Sequence, residues 1–241
     1  MRKTIGILGG MGPEATAYFY GLIIKNTKAV NDQEHIKVII YANPEVPPRT
    51  DAILEGGESP LPYLVEGVRI LKGNGADFIV MPCVTAHFWL PEILAQERVS
   101  FLSLLDEAVL YAQRKIPGLN KAGLISSTGT LKSRLFHEAF EKEGIEVIGP
   151  EDEQQELVTE AIFGENGIKA GFTSGRPKGI IHDTARKLME KGAEAVIAGC
   201  TEVPLVLKDK DTPVPLIEPL QILAEVSIKM AGYELRDREG G

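Results

Sequence analysis

The chain repeats itself at an interval of 117 residues, and no other feature limits its fold so much. Gly6 and Gly123 stand at that interval, as do Gly12 and Gly129, Gly75 and Gly192, Ala76 and Ala193, and Cys83 and Cys200. The segments Gly75–Cys83 and Gly192–Cys200 read Gly-Ala-Asp-Phe-Ile-Val-Met-Pro-Cys and Gly-Ala-Glu-Ala-Val-Ile-Ala-Gly-Cys. Units of α/β structure resemble one another in any case. A shared offset across glycine turns, strands and a cysteine goes further. It implies two homologous halves, each with a cysteine where a strand ends and a helix begins. Halves facing each other about a pseudo-twofold axis would bring both cysteines to one cleft.

Short β-branched runs alternate with longer amphipathic ones. Thr4–Leu8, Lys37–Tyr41, Phe78–Met81, Ala122–Ser126 and Ala195–Ala198 read as buried parallel strands. Helical patterns cover Glu14–Thr27, Leu61–Asn74, Thr85–Gln96, Leu105–Lys115, Thr130–Glu143, Glu153–Phe163 and Lys178–Lys191, and a last one runs from about Leu220 to Met230. This alternation predicts an α/β fold with helices on both faces of parallel sheets. Asn43–Pro62 holds five prolines and two glycines and reads as a long surface loop. Glu151–Glu156 reads as the solvated start of a helix, and Gly164–Gly167 as a turn before Lys169.

Composition excludes several classes. The 241 residues are 44% hydrophobic and 25% charged, which is globular rather than disordered. The longest apolar stretch, Phe78–Val84, is far short of the ~20 residues of a membrane span. The basic start Met1-Arg2-Lys3 is followed by an apolar run that stops at Gly9-Gly10, so no secretory signal is read. A net charge of −8 argues against binding a nucleic-acid backbone. Two cysteines make no disulfide framework, and neither they nor the four histidines show zinc spacing. The expectation is a cytoplasmic protein with reduced thiols and no metal.

In open α/β sheets, ligands bind beyond the carboxyl ends of the strands. Each cysteine sits at such an end, followed by a hydroxyl residue near a helix start: Cys83-Val84-Thr85 and Cys200-Thr201-Glu202. A helix N-terminus suits a carboxylate and lowers a thiol's pKa, so a thiolate is expected near neutral pH. One thiolate and one thiol on opposite sides of a carbon can remove a proton from one face and return one to the other. That inverts a stereocentre and needs no metal or organic cofactor. Cysteine is also a common buried residue, so either one alone would read as structural. The matched pair favours chemistry.

Three motifs carry a resemblance. Gly6-Ile7-Leu8-Gly9-Gly10-Met11-Gly12-Pro13-Glu14-Ala15-Thr16, then Met81-Pro82-Cys83-Val84-Thr85-Ala86-His87, then Ala198-Gly199-Cys200-Thr201-Glu202 resemble the aspartate/glutamate racemase family in order and spacing. The resemblance spans nearly the whole chain. It implies two pseudo-symmetric parallel-sheet α/β domains with the active site in the cleft between them. Residues 1–100 plus 213–241 would form the first domain, carrying Cys83, and 101–212 the second, carrying Cys200. It further implies a homodimer that racemises aspartate, glutamate or a related amino acid without pyridoxal phosphate, with Cys83 and Cys200 as acid and base. Pro47-Pro48-Arg49-Thr50 and Gly167-Ile168-Lys169-Ala170-Gly171 match the positions where such enzymes hold the distal carboxylate, which implies a site of Arg49 and Lys169. Thr85, Thr201 and backbone N–H groups would hold the α-carboxylate and amine. Relatives usually carry asparagine after the first cysteine. Here Val84 offers no donor or acceptor, and this bears on which substrate is preferred.

Weaker signals remain. Gly10–Ala15 fits the dinucleotide fingerprint G-x-G-x-x-A, but the acidic residue expected ~20 positions later is missing. The turn reads instead as backbone, around Met11, forming one wall of the cleft. His87 reads as making a local hydrogen bond, with tuning of Cys83 as the alternative. Glu202 reads either as polarising Cys200 or as an ordinary complement to a helix dipole. Three other readings stay open: an isomerase or decarboxylase like maleate isomerase or arylmalonate decarboxylase, a non-catalytic metabolite-binding module, and a scaffold with two structural cysteines.

Overall fold

The computed structural model describes residues 1–237. Its elements, in chain order, are β1 (Ile5–Gly9), α1 (Pro13–Asn26), β2 (Val38–Ala42), α2 (Arg49–Leu54), α3 (Leu61–Gly73), β3 (Phe78–Val80), α4 (Leu90–Gln96), β4 (Phe101–Leu102), α5 (Leu104–Lys115), β5 (Lys121–Ile125), α6 (Thr128–Lys132) and α7 (Leu135–Glu141). There follow β6 (Glu146–Ile148), α8 (Asp152–Phe163), α9 (Arg176–Glu190), β7 (Ala195–Ala198), α10 (Val203–Val206), β8 (Leu216–Ile217) and α11 (Pro219–Met230).

They form two parallel-sheet α/β domains. One unit comprises Met1–Pro47, Ser59–Glu107 and the chain from Leu220; the other comprises Pro48–Glu58 and Ala108–Pro219. The sequence reading set the junctions seven residues earlier and left Pro48–Glu58 in the first domain; residues 238–241 of its C-terminal segment lie outside the described residues.

Within the first unit the parallel sheet has the order β2-β1-β3-β4. Within the second the order is β6-β5-β7-β8, the same permutation. The central strands β1, β3 and β7 are buried along their whole length, which explains their continuous apolar runs. The edge strands β2 and β6 alternate in exposure.

The 117-residue interval has a packing basis. A Cβ on Gly6 would lie 2.8 Å from Ala76 Cβ and 3.4 Å from Leu71 Cβ. A Cβ on Gly123 would lie 3.1 Å from Ala193 Cβ and 2.9 Å from Leu188 Cβ. In each unit the helix before the central strand thus presses onto a glycine of its neighbour. Both helices end alike. Gly75 and Gly192 each take φ +91°, and Ala76 and Ala193 donate backbone N–H groups to Leu71 and Leu188 at 3.1 and 3.0 Å. Only glycine adopts that φ without strain, so the repeated Gly-Ala pair ends a helix and starts a strand.

Three expectations change. The loop 43–62 contains a helix, α2, packed on α6; a side chain at Gly129 would meet the Thr50 hydroxyl at 2.5 Å. The single helix expected over Thr130–Glu143 breaks into α6 and α7 at Arg134, whose φ is +56°. The helix expected over Thr85–Gln96 begins as a 3-10 helix, Thr85–Trp89, and becomes α-helical only at Leu90, where Pro91 fits the first turn.

Candidate active site

In the first unit, β1 and β3 pair side by side, so their carboxyl ends are neighbours. After β1 the chain turns through Gly10, at φ +93°, with Asn43 backbone filling the space a side chain would need. Thr16 locks the turn: its hydroxyl accepts from Gly10 N–H and donates to Gly12 C=O, both at 2.9 Å. Met11 is buried within it. After β3 come Cys83 and Val84, both buried, and half-buried Thr85, which starts the 3-10 helix.

His87 makes the local bond that its position suggested. Its Nδ1 donates to Cys83 C=O at 2.8 Å, and its Nε2 accepts from Leu104 N–H at 3.2 Å. That pair of partners requires the neutral Nδ1–H tautomer. Burial lowers the His87 pKa from 6.5 to about 4, which keeps the ring uncharged. The ring therefore clamps the Cys83 backbone to the start of α5.

In the second unit, β7 leads into Gly199-Cys200-Thr201-Glu202. A side chain at Gly199 would collide with Leu124 and Phe136. Cys200 is 8% exposed and Glu202 only 2%. The Cys200 thiol donates to Glu202 Oε2 at 2.9 Å, and the Thr201 hydroxyl donates to the same oxygen at 3.0 Å. Lys169 Nζ lies 2.6 Å from the other oxygen, Oε1, and its side chain is 29% exposed. Lys169 stands on a 3-10 turn, Ile168–Ala170, with its ammonium 5.4 Å from the Phe163 ring centroid.

This arrangement corrects the expected acidity of one thiol. Burial, first, and then the Glu202 charge push the Cys200 pKa well above its ordinary value; Lys169 and the Glu202 backbone N–H pull the other way and are outweighed. The helix after Cys200, α10, has only four residues and supplies little dipole.

Of the residues singled out from sequence, Lys169, Cys200 and Thr201 meet around Glu202, whereas Met11, Cys83, Val84 and Thr85 sit at adjacent strand ends of the first unit. Arg49 is the half-buried first residue of α2, in the second unit. The pairing of Lys169 with Glu202 carried no sequence signal, since 33 positions separate them. One missed feature did carry a signal. The 117 interval maps Gly10 onto Ser127, a buried serine whose hydroxyl caps α6 by accepting from Thr130 N–H at 3.2 Å. Among the described residues, no group of three or more His, Cys, Asp or Glu side chains could hold a metal ion, and no helix is long and apolar enough to cross a membrane.

Two parallel-sheet α/β domains, each with a buried cysteine just beyond the carboxyl end of a central strand, define the class of fold. The particular family follows from comparison. The family model for Asp/Glu/Hydantoin racemase matches residues 8–226, and the chain belongs to that family. The broad specificity amino-acid racemase RacX of Bacillus subtilis (strain 168) is 28% identical over 234 residues, 93% of this chain and 96% of that one. The structure of Picrophilus torridus aspartate racemase is 29% identical with a TM-score of 0.86, covering 97% of this chain and 96% of its own. Glutamate racemase from Francisella tularensis subsp. tularensis SCHU S4, solved with D-glutamate, shares the fold at 16% identity and a TM-score of 0.69, over 95% of this chain and 81% of that one. The chain is an amino-acid racemase, an isomerase.

Proposed function

We propose that this racemase acts on aspartate, glutamate or a related amino acid by proton transfer between Cys83 and Cys200, with no cofactor. One observation carries the reading: two buried thiols occupy matching positions at the ends of β3 and β7, in sheets of identical strand order. In this scheme Cys83 and Cys200 would act from opposite sides of Cα. A thiolate on one side takes the proton, and a thiol on the other returns one. Backbone N–H groups near Met11, Thr85 and Thr201 would bind the α-carboxylate, which lowers the energy of carbanion character at Cα. Arg49 and Lys169 would hold the distal carboxylate. Changing each cysteine to serine, and following Cα hydrogen exchange in deuterated water, tests the scheme. Each variant should lose racemisation; normal turnover by either sinks the two-base mechanism.

A second reading of the substrate has its own support. Val84 is buried and apolar, and Lys169 is already bound to Glu202. Both favour side chains without a carboxylate, in keeping with the broad specificity named for the Bacillus relative. A panel of acidic, basic and apolar D- and L-amino acids separates the two. We also infer a cytoplasmic homodimer, which light scattering on the purified protein tests for its oligomeric part.

A further inference from the structure

Glu202 is nearly as buried as the apolar core, yet it carries a full ion pair and two further hydrogen bonds. Isolated burial of a carboxylate is unfavourable, so its partners determine what it does. Lys169 holds Oε1, which leaves Oε2 to accept from the Cys200 thiol and the Thr201 hydroxyl. An S–H group donating to a carboxylate is a thiol that keeps its proton. Within its unit, the charged groups that face Cys200 are Glu202 on its own loop and Lys169 from the turn Ile168–Ala170; the buried cluster to which the sulfur belongs, including Ile125, Ile168 and Val203, is apolar.

We propose that Glu202 is a positioning residue that keeps the proton on Cys200, so that Cys200 enters turnover as the acid and Cys83 as the base. The inference rests on the two-cysteine reading above. In the first half-reaction the Cys83 thiolate takes the Cα proton. The Cys200 S–H bond then breaks, its proton goes to the opposite face of Cα, and the electron pair stays on sulfur. The enzyme is left with Cys83 as thiol and Cys200 as thiolate, beside the Glu202 carboxylate. Resetting moves one proton, through water, from Cys83 to Cys200. Glu202 remains a carboxylate throughout. The two free-enzyme forms are therefore unequal, and the enantiomer that presents its Cα–H to Cys83 meets the enzyme in its resting state.

The test titrates Cys200 without any need for turnover. In the full-length C83S protein, the rate of Cys200 alkylation by iodoacetamide is followed against pH by mass spectrometry. Adding Glu202→Gln should lower the midpoint by about one pH unit or more, because the like charge is gone. Adding Lys169→Met instead should raise it. Loss of packing alone would not move the two midpoints in opposite directions. With Cys83 intact, the alkaline limb of kcat/KM in E202Q should shift toward acid by the same amount. An unchanged or raised midpoint in E202Q overturns the proposal. Should E202Q fail to fold, as judged by circular dichroism, the double variant E202Q/K169M, which removes the ion pair whole, decides: a midpoint below that of K169M supports the proposal, and one equal to or above it overturns it. The racemase reading fails differently, by absence of enantiomer interconversion in the unmodified protein, whatever the thiol titration shows.

Discussion

His87 holds two hydrogen bonds and carries no charge, and this makes the fold sensitive to acid. Its pKa lies at about 4 in the folded chain, against an ordinary 6.5. Between these values the unfolded chain binds the proton and the folded chain does not. Stability therefore declines as pH falls from about 6.5, and the loss is complete near pH 4, at roughly 3 kcal/mol for this group. Urea unfolding across that range should show the slope, and His87→Gln should flatten it. At neutral pH the same change should destabilise by about 1–3 kcal/mol through misplaced buried partners. Val84 bears on substrate. If the substrate is acidic, Val84→Asn supplies a missing donor worth about 1 kcal/mol, and KM for aspartate should fall about fivefold. No change in KM would show that the backbone N–H groups already suffice.

Elements in the two units end by the same device, so the same lesion should weaken both. Gly75 and Gly192 share φ +91°, and a Cβ there meets nothing closer than 3.9 Å. Substitution by alanine is then a backbone effect alone, of about 1–2 kcal/mol at either site. Chemical denaturation of G75A and G192A should give closely similar losses. Gly199 differs in kind, since the collision there is with side chains beneath the β7 end. Gly199→Ala should destabilise by about 1–3 kcal/mol through overpacking and displace Cys200 as well. A G199A protein with unaltered stability and activity would show that the β7 end yields freely.

At the scale of the whole molecule, the chain from Leu220 returns to the first unit. There Lys3 N–H donates to Ala231 C=O at 3.0 Å, and Thr27 bridges to Leu235. Helix α11 buries Leu220, Ile222, Leu223, Ala224 and Ile228. Ending the chain at Pro219 removes these from the core, for a loss of about 5 kcal/mol or more. Hydrogen exchange should show the sheet β2-β1-β3-β4 losing protection while β6-β5-β7-β8 retains it. Uniform loss in both sheets would mean that they unfold as one.

The strands β1, β3, β5 and β7 were legible because central parallel strands are buried on both faces, and the edge strand β2 because of its β-branched run Val38-Ile39-Ile40. The strands β4, β6 and β8 were not. They have two or three residues each, and pairing with a neighbour, rather than their own pattern, makes them strands. The cysteine positions and the identity of His87 as a local hydrogen-bonding residue could be read from spacing alone, because strand ends and a four-residue step along a helix start are local geometry. Sequence alone also determined the repeat, since the glycines under Ala76 and Ala193 are required by contacts that no other residue permits. Tertiary structure decided the electrostatics. Lys169 reaches Glu202, and α2 packs on α6, only after distant segments are brought together. The charge state of a buried thiol depends on whichever groups that folding places beside it.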